Sequence, residues 1–112
     1  MTDSRAGAAG AGQYGDTTMT TARCMRTKFP LGRLVITTPA REALSNDAVL
    51  SALGRHAGGD WGDLCEEDRE MNERALLHGD RLFSVYRHRE TRFYVITEWD
   101  RSATTILLPE DY

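Results

Sequence analysis

The sequence predicts an α+β domain in which a first strand and two or three helices precede a three-stranded antiparallel sheet. Apolar residues in the middle of the chain recur at helical spacing, whereas from Arg81 onward apolar and polar residues alternate with a period of two. The breaks between the last three segments are short, which favours a meander of hairpins over crossover connections. The helices are expected to pack on one face of this sheet.

The first strand and the first two helices have clear boundaries in the sequence. GRLVITT, residues 32–38, is rich in β-branched and apolar residues and lies between two prolines. Thr38 and Pro39 predict an N-cap followed by proline at the first helical position of PAREALS. The segment Ser45-Asn46-Asp47 predicts a second cap before the helix AVLSALGRH, which a pair of glycines ends.

The third helix carries signals at both ends. Asp63, with Glu66 three residues later, has the pattern of a capping box, and acidic residues fill the first turn, where the helix dipole favours negative charge. The helix is expected to continue through MNERALLH, with His78 in its last turn and Gly79 as its C′ residue. The three strands then follow as RLFSVYRH, TRFYVITEW and ATTILLP.

Residues 1–27 differ in composition from the rest of the chain. They are mostly small or polar, so they cannot bury enough apolar surface to offset the entropy of ordering, and we predict a disordered tail. Met19 and Met25 are alternatives to Met1 as the start of translation, in which case part or all of this tail is not translated. Residues 28–112 then form a single small domain.

Charge and cysteine content argue against several function classes. Residues 29–112 contain ten arginines against fifteen aspartates and glutamates, a net charge of −5, whereas nucleic-acid binding needs clustered cations. Cys24 and Cys65 match no zinc ligand set and no disulfide framework, so a reducing compartment is expected. No apolar segment has the length of a signal-peptide core or of a bilayer span. We therefore predict a cytoplasmic protein that does not enter the membrane and has no cofactor.

The loop RHAGGDWGDLCEED, residues 55–68, is the first candidate site. His56 could act as a general base oriented by Asp60 or Asp63. The alternative, which we favour, is that His56 ends one helix, where the dipole stabilises an imidazolium, while Asp63 caps the next helix. Trp61 is either a core residue that closes the loop or an exposed anchor, and the core position is favoured because a tryptophan buries a large area.

The second candidate is a run of seven carboxylates with one arginine among residues 60–73. Its spacing matches no calcium-binding loop, so no metal is predicted. Charge runs are usually a solvated helix face, but the same run would also serve as a docking patch for a basic partner. The residues proposed for partner contact are Asp60, Trp61, Asp63, Glu66, Glu67, Asp68, Glu70 and Glu73.

The third candidate is the turn TEWDRSATT, residues 97–105, with Arg81, Arg87 and His88 expected on the neighbouring strand. Small ribonucleases place Arg, His, Glu and Thr side chains on an antiparallel sheet, where a base and an acid act on the ribose 2′-hydroxyl and arginine stabilises the phosphorane. The alternative is a set of cross-strand salt bridges and threonine pairs on an exposed sheet face. The residues to test for catalysis are His56, Arg81, Arg87, Glu98 and Thr104.

Three segments of the chain carry a resemblance to a known family: GDWGDLCEEDREMNERAL, RLFSVY and VITEWDRSATTILLPEDY. They resemble a family of small plasmid-related proteins of bacterial mobile elements. The resemblance covers residues 29–112 and departs at residues 94–99, which read YVITEW where WIITEA is expected. Some members are labelled type I restriction subunit M, but this chain is too short for a methyltransferase domain and has no cofactor motif. The resemblance implies a setting in which small acidic proteins bind a component of host defence or replication.

Two hypotheses of different classes follow. The first is a non-enzymatic interaction protein, an inhibitor of a host defence complex such as a CRISPR or restriction complex, whose acidic helix binds a basic groove of a protein partner. The second is a metal-independent ribonuclease of the barnase, colicin and toxin type, against which the acidity of the domain counts. A homodimer that pairs exposed strand edges is compatible with either.

Overall fold

The computed structural model describes residues 27–112, so the predicted tail lies outside the described residues apart from Thr27. The described chain contains three α-helices and a four-stranded sheet, which confirms the α+β class. In chain order the elements are β1 (Arg33–Ile36), α1 (Thr38–Ala43), α2 (Asn46–Ala57), α3 (Glu66–His78), β2 (Leu82–His88), β3 (Thr91–Thr97), β4 (Ala103–Leu107) and a 3₁₀-helix (Pro109–Asp111).

The sheet is mixed, because β1, whose pairing the sequence left open, joins the predicted antiparallel strands. β2, β3 and β4 form the expected meander, and β1 adds a fourth strand parallel to β4, so that the strand order is β1-β4-β3-β2. The N–H of Arg33 donates to the carbonyl of Ser102 at 3.0 Å, and the N–H of Thr37 donates to that of Ile106 at 3.1 Å. Parallel strands need a long crossover, which the helices and the β2–β3 hairpin supply here.

The first two helices begin at side-chain caps. Thr37, not Thr38, is the N-cap of α1, because its hydroxyl accepts from the N–H of Ala40 at 3.3 Å, so the helix begins one residue earlier than predicted. Of the predicted capping segment, Ser45 is the N-cap of α2 and accepts from the N–H of Ala48 at 3.1 Å, while Asn46 and Asp47 belong to the helix. Short polar side chains before each helix therefore determine where the chain turns into it.

The capping box predicted at Asp63 is wrong. The N-cap of α3 is Cys65, whose side chain makes no capping hydrogen bond. The first turn is held instead by Arg69, which donates to the carbonyls of Gly62 and Leu64 at 2.8 and 3.0 Å. Arg69 thus fixes the preceding loop against the helix, but it does not perform the role of a carboxylate cap, which accepts from the first N–H groups of a helix.

The main core lies between the first two helices and one face of the sheet. Its apolar members are Ala40, Leu44, Ala52, Leu53, Tyr86, Phe93, Val95, Ile106 and Leu108. A second, smaller cluster joins α3, the preceding loop and the segment before β1 to the start of β2, and consists of Phe29, Trp61, Ala75 and Leu82. The predicted packing on one face therefore holds for α1 and α2, whereas α3 is attached beside the sheet.

Candidate functional site

Helix α3 is fixed along the outer edge of β2 by one polar side chain. Asn72 is 4% exposed; its Nδ2 donates to the carbonyl of Phe83 at 2.7 Å, and its Oδ1 accepts from the N–H of Phe83 at 3.2 Å. Further along the same edge, the main chain of residues 61–63 makes two hydrogen bonds with Val85, of 3.2 and 2.8 Å. The outward-facing groups of both strand residues are satisfied, so this part of the edge is closed to another strand.

This attachment leaves the acidic side of α3 exposed. Asn72 and Ala75 are the buried residues of the helix. Four carboxylates are exposed and form no salt bridge with any cation in the described part of the chain. Since no salt bridge within residues 27–112 neutralises them, we expect a negative potential over the first two turns of the helix. We call this group the acidic face, and it consists of Glu66, Glu67, Asp68 and Glu70.

Three other residues proposed for partner contact hold the preceding loop together. Trp61 is 2% exposed, and its Nε1–H donates to Glu73 at 2.9 Å. Asp60 accepts two hydrogen bonds from the guanidinium of Arg55, at 2.8 and 3.3 Å, and this partner holds the pKa of Asp60 below its ordinary value. Trp61 is therefore a core residue and not an exposed anchor, whereas Asp63 is exposed as proposed.

His56 is a buried residue of α2. It is 0% exposed, and its two ring nitrogens contact hydroxyls of the sheet: Nδ1 lies 2.6 Å from Ser84 Oγ, and Nε2 lies 2.9 Å from Thr97 Oγ1. The ring is thus oriented by hydroxyl groups and not by Asp60 or Asp63, which corrects the proposed pairing with a carboxylate.

The hydrogen-bond chain through His56 determines its tautomer. Thr104 Oγ1 donates its single hydrogen to the carbonyl of Leu31 at 2.7 Å, so Thr97 must donate in the 2.7 Å contact between the two threonine hydroxyls. Thr97 then has no hydrogen left for the imidazole. The Nε2–H of His56 therefore donates to Thr97, and Nδ1 accepts from Ser84.

The same environment keeps the imidazole neutral. Burial, and to a smaller extent the positive charge of Arg101, lowers the pKa of His56 to about 4. The predicted imidazolium is therefore wrong, because desolvation outweighs the favourable helix dipole. The rings of Phe29 and Trp61 flank the imidazole, with centroids 5.3 and 5.7 Å away. In this arrangement His56 cannot reach a substrate as a general base.

The remaining residues proposed for catalysis are spread over the sheet. Thr104 is buried within the hydrogen-bond chain of His56, and Glu98 is half-buried in the turn after β3. Arg81 precedes β2, and Arg87 lies six residues further along, which is about 20 Å in an extended strand. The structure thus brings Thr104 and His56 together but separates the two arginines. The ribonuclease hypothesis gains no support from this geometry.

A groove beside α3 contains apolar side chains that the sequence did not identify as a site. It has a volume of about 640 Å³. Met71 and Trp99, which line it, are 60% and 65% exposed. The available signal was a large aromatic residue inside the polar turn TEWDRS. Its lining includes Leu64, Asp68, Met71, Asp80, Phe83 and Trp99.

Arg101 braces the turn that carries Trp99. Its guanidinium donates to the carbonyls of Asp80 at 2.6 Å, Glu98 at 3.1 Å and Ala75 at 3.1 Å. These acceptors belong to the end of α3, to the connection that follows it and to the β3–β4 turn. The cation also lies where the helix dipole favours positive charge. The turn and the helix that border the groove are therefore held in a fixed relation.

Within residues 27–112, no group of three or more His, Cys, Asp or Glu side chains is arranged to hold a metal ion. None of the helices in this part of the chain combines the length and the apolar character needed to cross a membrane. Comparison with protein-family models, curated proteins and solved structures finds no match to the chain. Function must therefore be inferred from the site itself.

Proposed function

We propose that this protein is a non-enzymatic interaction protein whose acidic face binds a basic surface of a protein partner. The observation that supports the proposal is a contrast among neighbouring carboxylates. Asp60 and Glu73 are held by Arg55 and Trp61, whereas the four carboxylates of the acidic face are exposed and unpaired within the described residues. Carboxylates without a salt bridge in the described chain are available to pair with cations of a partner.

Electrostatics sets the expected character of such binding. Complementary charge raises the association rate and selects the orientation of the partner. Exposed charges are screened within a Debye length of about 8 Å at physiological ionic strength, so binding should weaken as salt rises.

The partner that fits these properties is a protein with a groove that ordinarily holds nucleic acid. Such a groove is lined with arginine or lysine, and an acidic helix can occupy it in place of phosphate. The resemblance to mobile-element proteins suggests a host defence complex, of the CRISPR or restriction kind, in the cytoplasm. Inhibition of that complex is the activity we propose.

Affinity capture from nuclease-treated host lysate tests the proposal. The full chain is compared with a variant in which Glu66, Glu67 and Glu70 are replaced by glutamine, which removes charge and retains a good helix former. A partner captured by the wild type should be lost from this variant, and lost from the wild type at high salt. Mass spectrometry of both captures then identifies the target.

A matched control separates local from overall charge. Glu42, Glu90 and Glu110 are exposed elsewhere on the domain, and their replacement by glutamine changes the net charge equally. This control should retain the partner. Salt-insensitive binding, or equal loss in both variants, would contradict the role of the acidic face.

A homodimer through strand edges, if one forms, would use β1. The edge at β2 is occupied by Asn72 and residues 61–63, whereas in the described chain β1 has β4 as its one neighbour. Leu34 and Val35 on that strand are 52% and 37% exposed. Sedimentation of the wild type beside Val35→Lys would show whether this edge is used.

A further inference from the structure

The groove beside α3 combines acidic and apolar groups in a way that suits a long cationic side chain. Asp68 and Asp80 supply two carboxylates, and Met71, Phe83 and Trp99 supply apolar and aromatic surface. A ligand that is only apolar would leave two carboxylates desolvated, and a small cation would leave the apolar surface uncovered. An arginine satisfies both requirements, because its aliphatic stem covers apolar surface while its guanidinium stays charged.

The cation that already lines the groove does not neutralise it. Arg81 forms no salt bridge with Asp68 or Asp80 in the described part of the chain. Its guanidinium lies over the ring of Tyr112, 5.9 Å from the centroid. The groove therefore keeps an excess of negative charge.

The aromatic wall is presented on a rigid turn. Trp99 is 65% exposed, although a large aromatic side chain normally gains by burial. Arg101 donates to the carbonyl of Glu98 in this turn and to that of Asp80 in the connection after α3, so the indole is positioned before any partner arrives. Exposed aromatic residues held in this way are typical of binding hot spots.

We propose that this groove binds an arginine side chain of the basic partner, with the guanidinium at Asp68 and Asp80 and against the indole of Trp99. The stem would lie on Met71 and Phe83. The inference rests on the proposed function, since it names the chemistry by which the partner is recognised. Arginine is preferred to lysine because its planar guanidinium stacks on an indole and pairs with carboxylates in a bidentate manner.

An NMR titration with a defined probe tests the groove directly. The probe is an acetylated, amidated glycine–serine hexapeptide that contains one arginine; matched peptides carry lysine, citrulline or norleucine at that position. The chain has two tryptophans, and their indole N–H signals report separately. That of Trp99 should shift saturably with the arginine peptide. The indole N–H signal of Trp61, which is buried and hydrogen-bonded to Glu73, should not shift and serves as the internal reference.

The peptide series distinguishes the contributions of charge and shape. Citrulline keeps the shape of arginine without its charge and should bind at least tenfold more weakly, as should norleucine. Lysine should bind several-fold more weakly. Equal affinity for citrulline and arginine, or for lysine and arginine, would overturn the assignment, and so would the absence of a saturable shift at Trp99.

Two sets of variants separate this inference from the proposed function. Replacing Asp68 and Asp80 by asparagine should weaken arginine-peptide binding about tenfold, whereas Asp47→Asn with Glu90→Gln, at exposed positions outside the groove lining, should leave it unchanged. The acidic-face variant with glutamine at 66, 67 and 70 should retain most peptide binding while it loses the partner. Loss of the partner without any peptide binding by the wild type would support the acidic face and overturn the groove.

Discussion

The side-chain amide of Asn72 satisfies both main-chain polar groups of Phe83, and so takes the place that a neighbouring strand would occupy. The two hydrogen bonds, of 2.7 and 3.2 Å, attach α3 to the edge of β2. Asn72 is the buried polar side chain that joins α3 directly to the strand, so it contributes to the position of the acidic face and of the groove wall relative to the sheet.

Replacement of Asn72 by leucine should therefore destabilise the domain by about 2–4 kcal/mol, since it leaves a buried donor and acceptor of the strand unpaired. Urea unfolding would measure the loss, and amide exchange at Phe83 should become faster. Asn46→Leu, at an exposed position in the first turn of α2, is the control and should change stability little. Slow exchange at Phe83 in the Asn72 variant would show that the edge is protected by other means.

Gly62 and Gly79 form a matched pair for a second prediction. Both have positive φ, +76° and +75°, but a Cβ on Gly62 would lie 1.9 Å from the carbonyl oxygen of Val85, whereas Gly79 has no atom within 4 Å. Gly79→Ala should cost about 1–2 kcal/mol from backbone strain alone. Gly62→Ala should cost more than about 4 kcal/mol, because the loop must leave the strand edge. Equal losses of unfolding free energy in the two variants, measured by chemical unfolding, would show that the loop containing Gly62 can shift away from β2 at little cost.

The buried imidazole should make stability depend on pH. The pKa of His56 is lowered from 6.5 to about 4, so the unfolded chain binds a proton that the folded chain does not. The folded state is then fully favoured above pH 6.5 and loses stability as the pH falls towards 4, by about 3 kcal/mol at 1.36 kcal/mol per pKa unit. Urea unfolding at a series of pH values would show this decrease.

His56→Gln tests the assignment, because glutamine retains a donor and an acceptor but does not titrate. Its stability should fall less over the same pH interval, although it will be lower at neutral pH. His78→Gln, at the exposed end of α3, is the control and should retain the wild-type decrease. If the His56 variant keeps the full decrease, the acid sensitivity belongs to other groups.

Glu73 and Glu70 should differ although both are exposed carboxylates of α3. Glu73 accepts from the buried indole of Trp61 at 2.9 Å, and Glu70 has no such partner in the described chain. Glu73→Ala should cost about 1–2 kcal/mol, and Glu70→Ala should stay within about 0.5 kcal/mol of the wild type. Thermal unfolding followed by tryptophan fluorescence would compare them. A larger loss of stability for Glu70→Ala than for Glu73→Ala would contradict the role of the Glu73–Trp61 hydrogen bond in holding the loop.

Local signals in the sequence predicted the secondary structure well. Ser45 caps α2 as expected, Gly79 ends α3 in the left-handed conformation, and the alternation after Arg81 does form three antiparallel strands. Each of these depends on neighbours within a few residues. The cap of α3 was mispredicted because the helix begins after Cys65, two residues later than a cap at Asp63 requires, and Arg69 from inside the helix donates to the loop carbonyls of Gly62 and Leu64.

The sequence by itself determined the fold class, the helix and strand order and the concentration of carboxylates in α3, because these follow from period, turn chemistry and composition. Tertiary structure decided the parallel place of β1, the burial of His56 and the exposure of Trp99. Those properties depend on which distant segments meet: His56 contacts Ser84 and Thr97 across the fold. No local pattern encodes such contacts, since they arise only when the helices pack on the sheet.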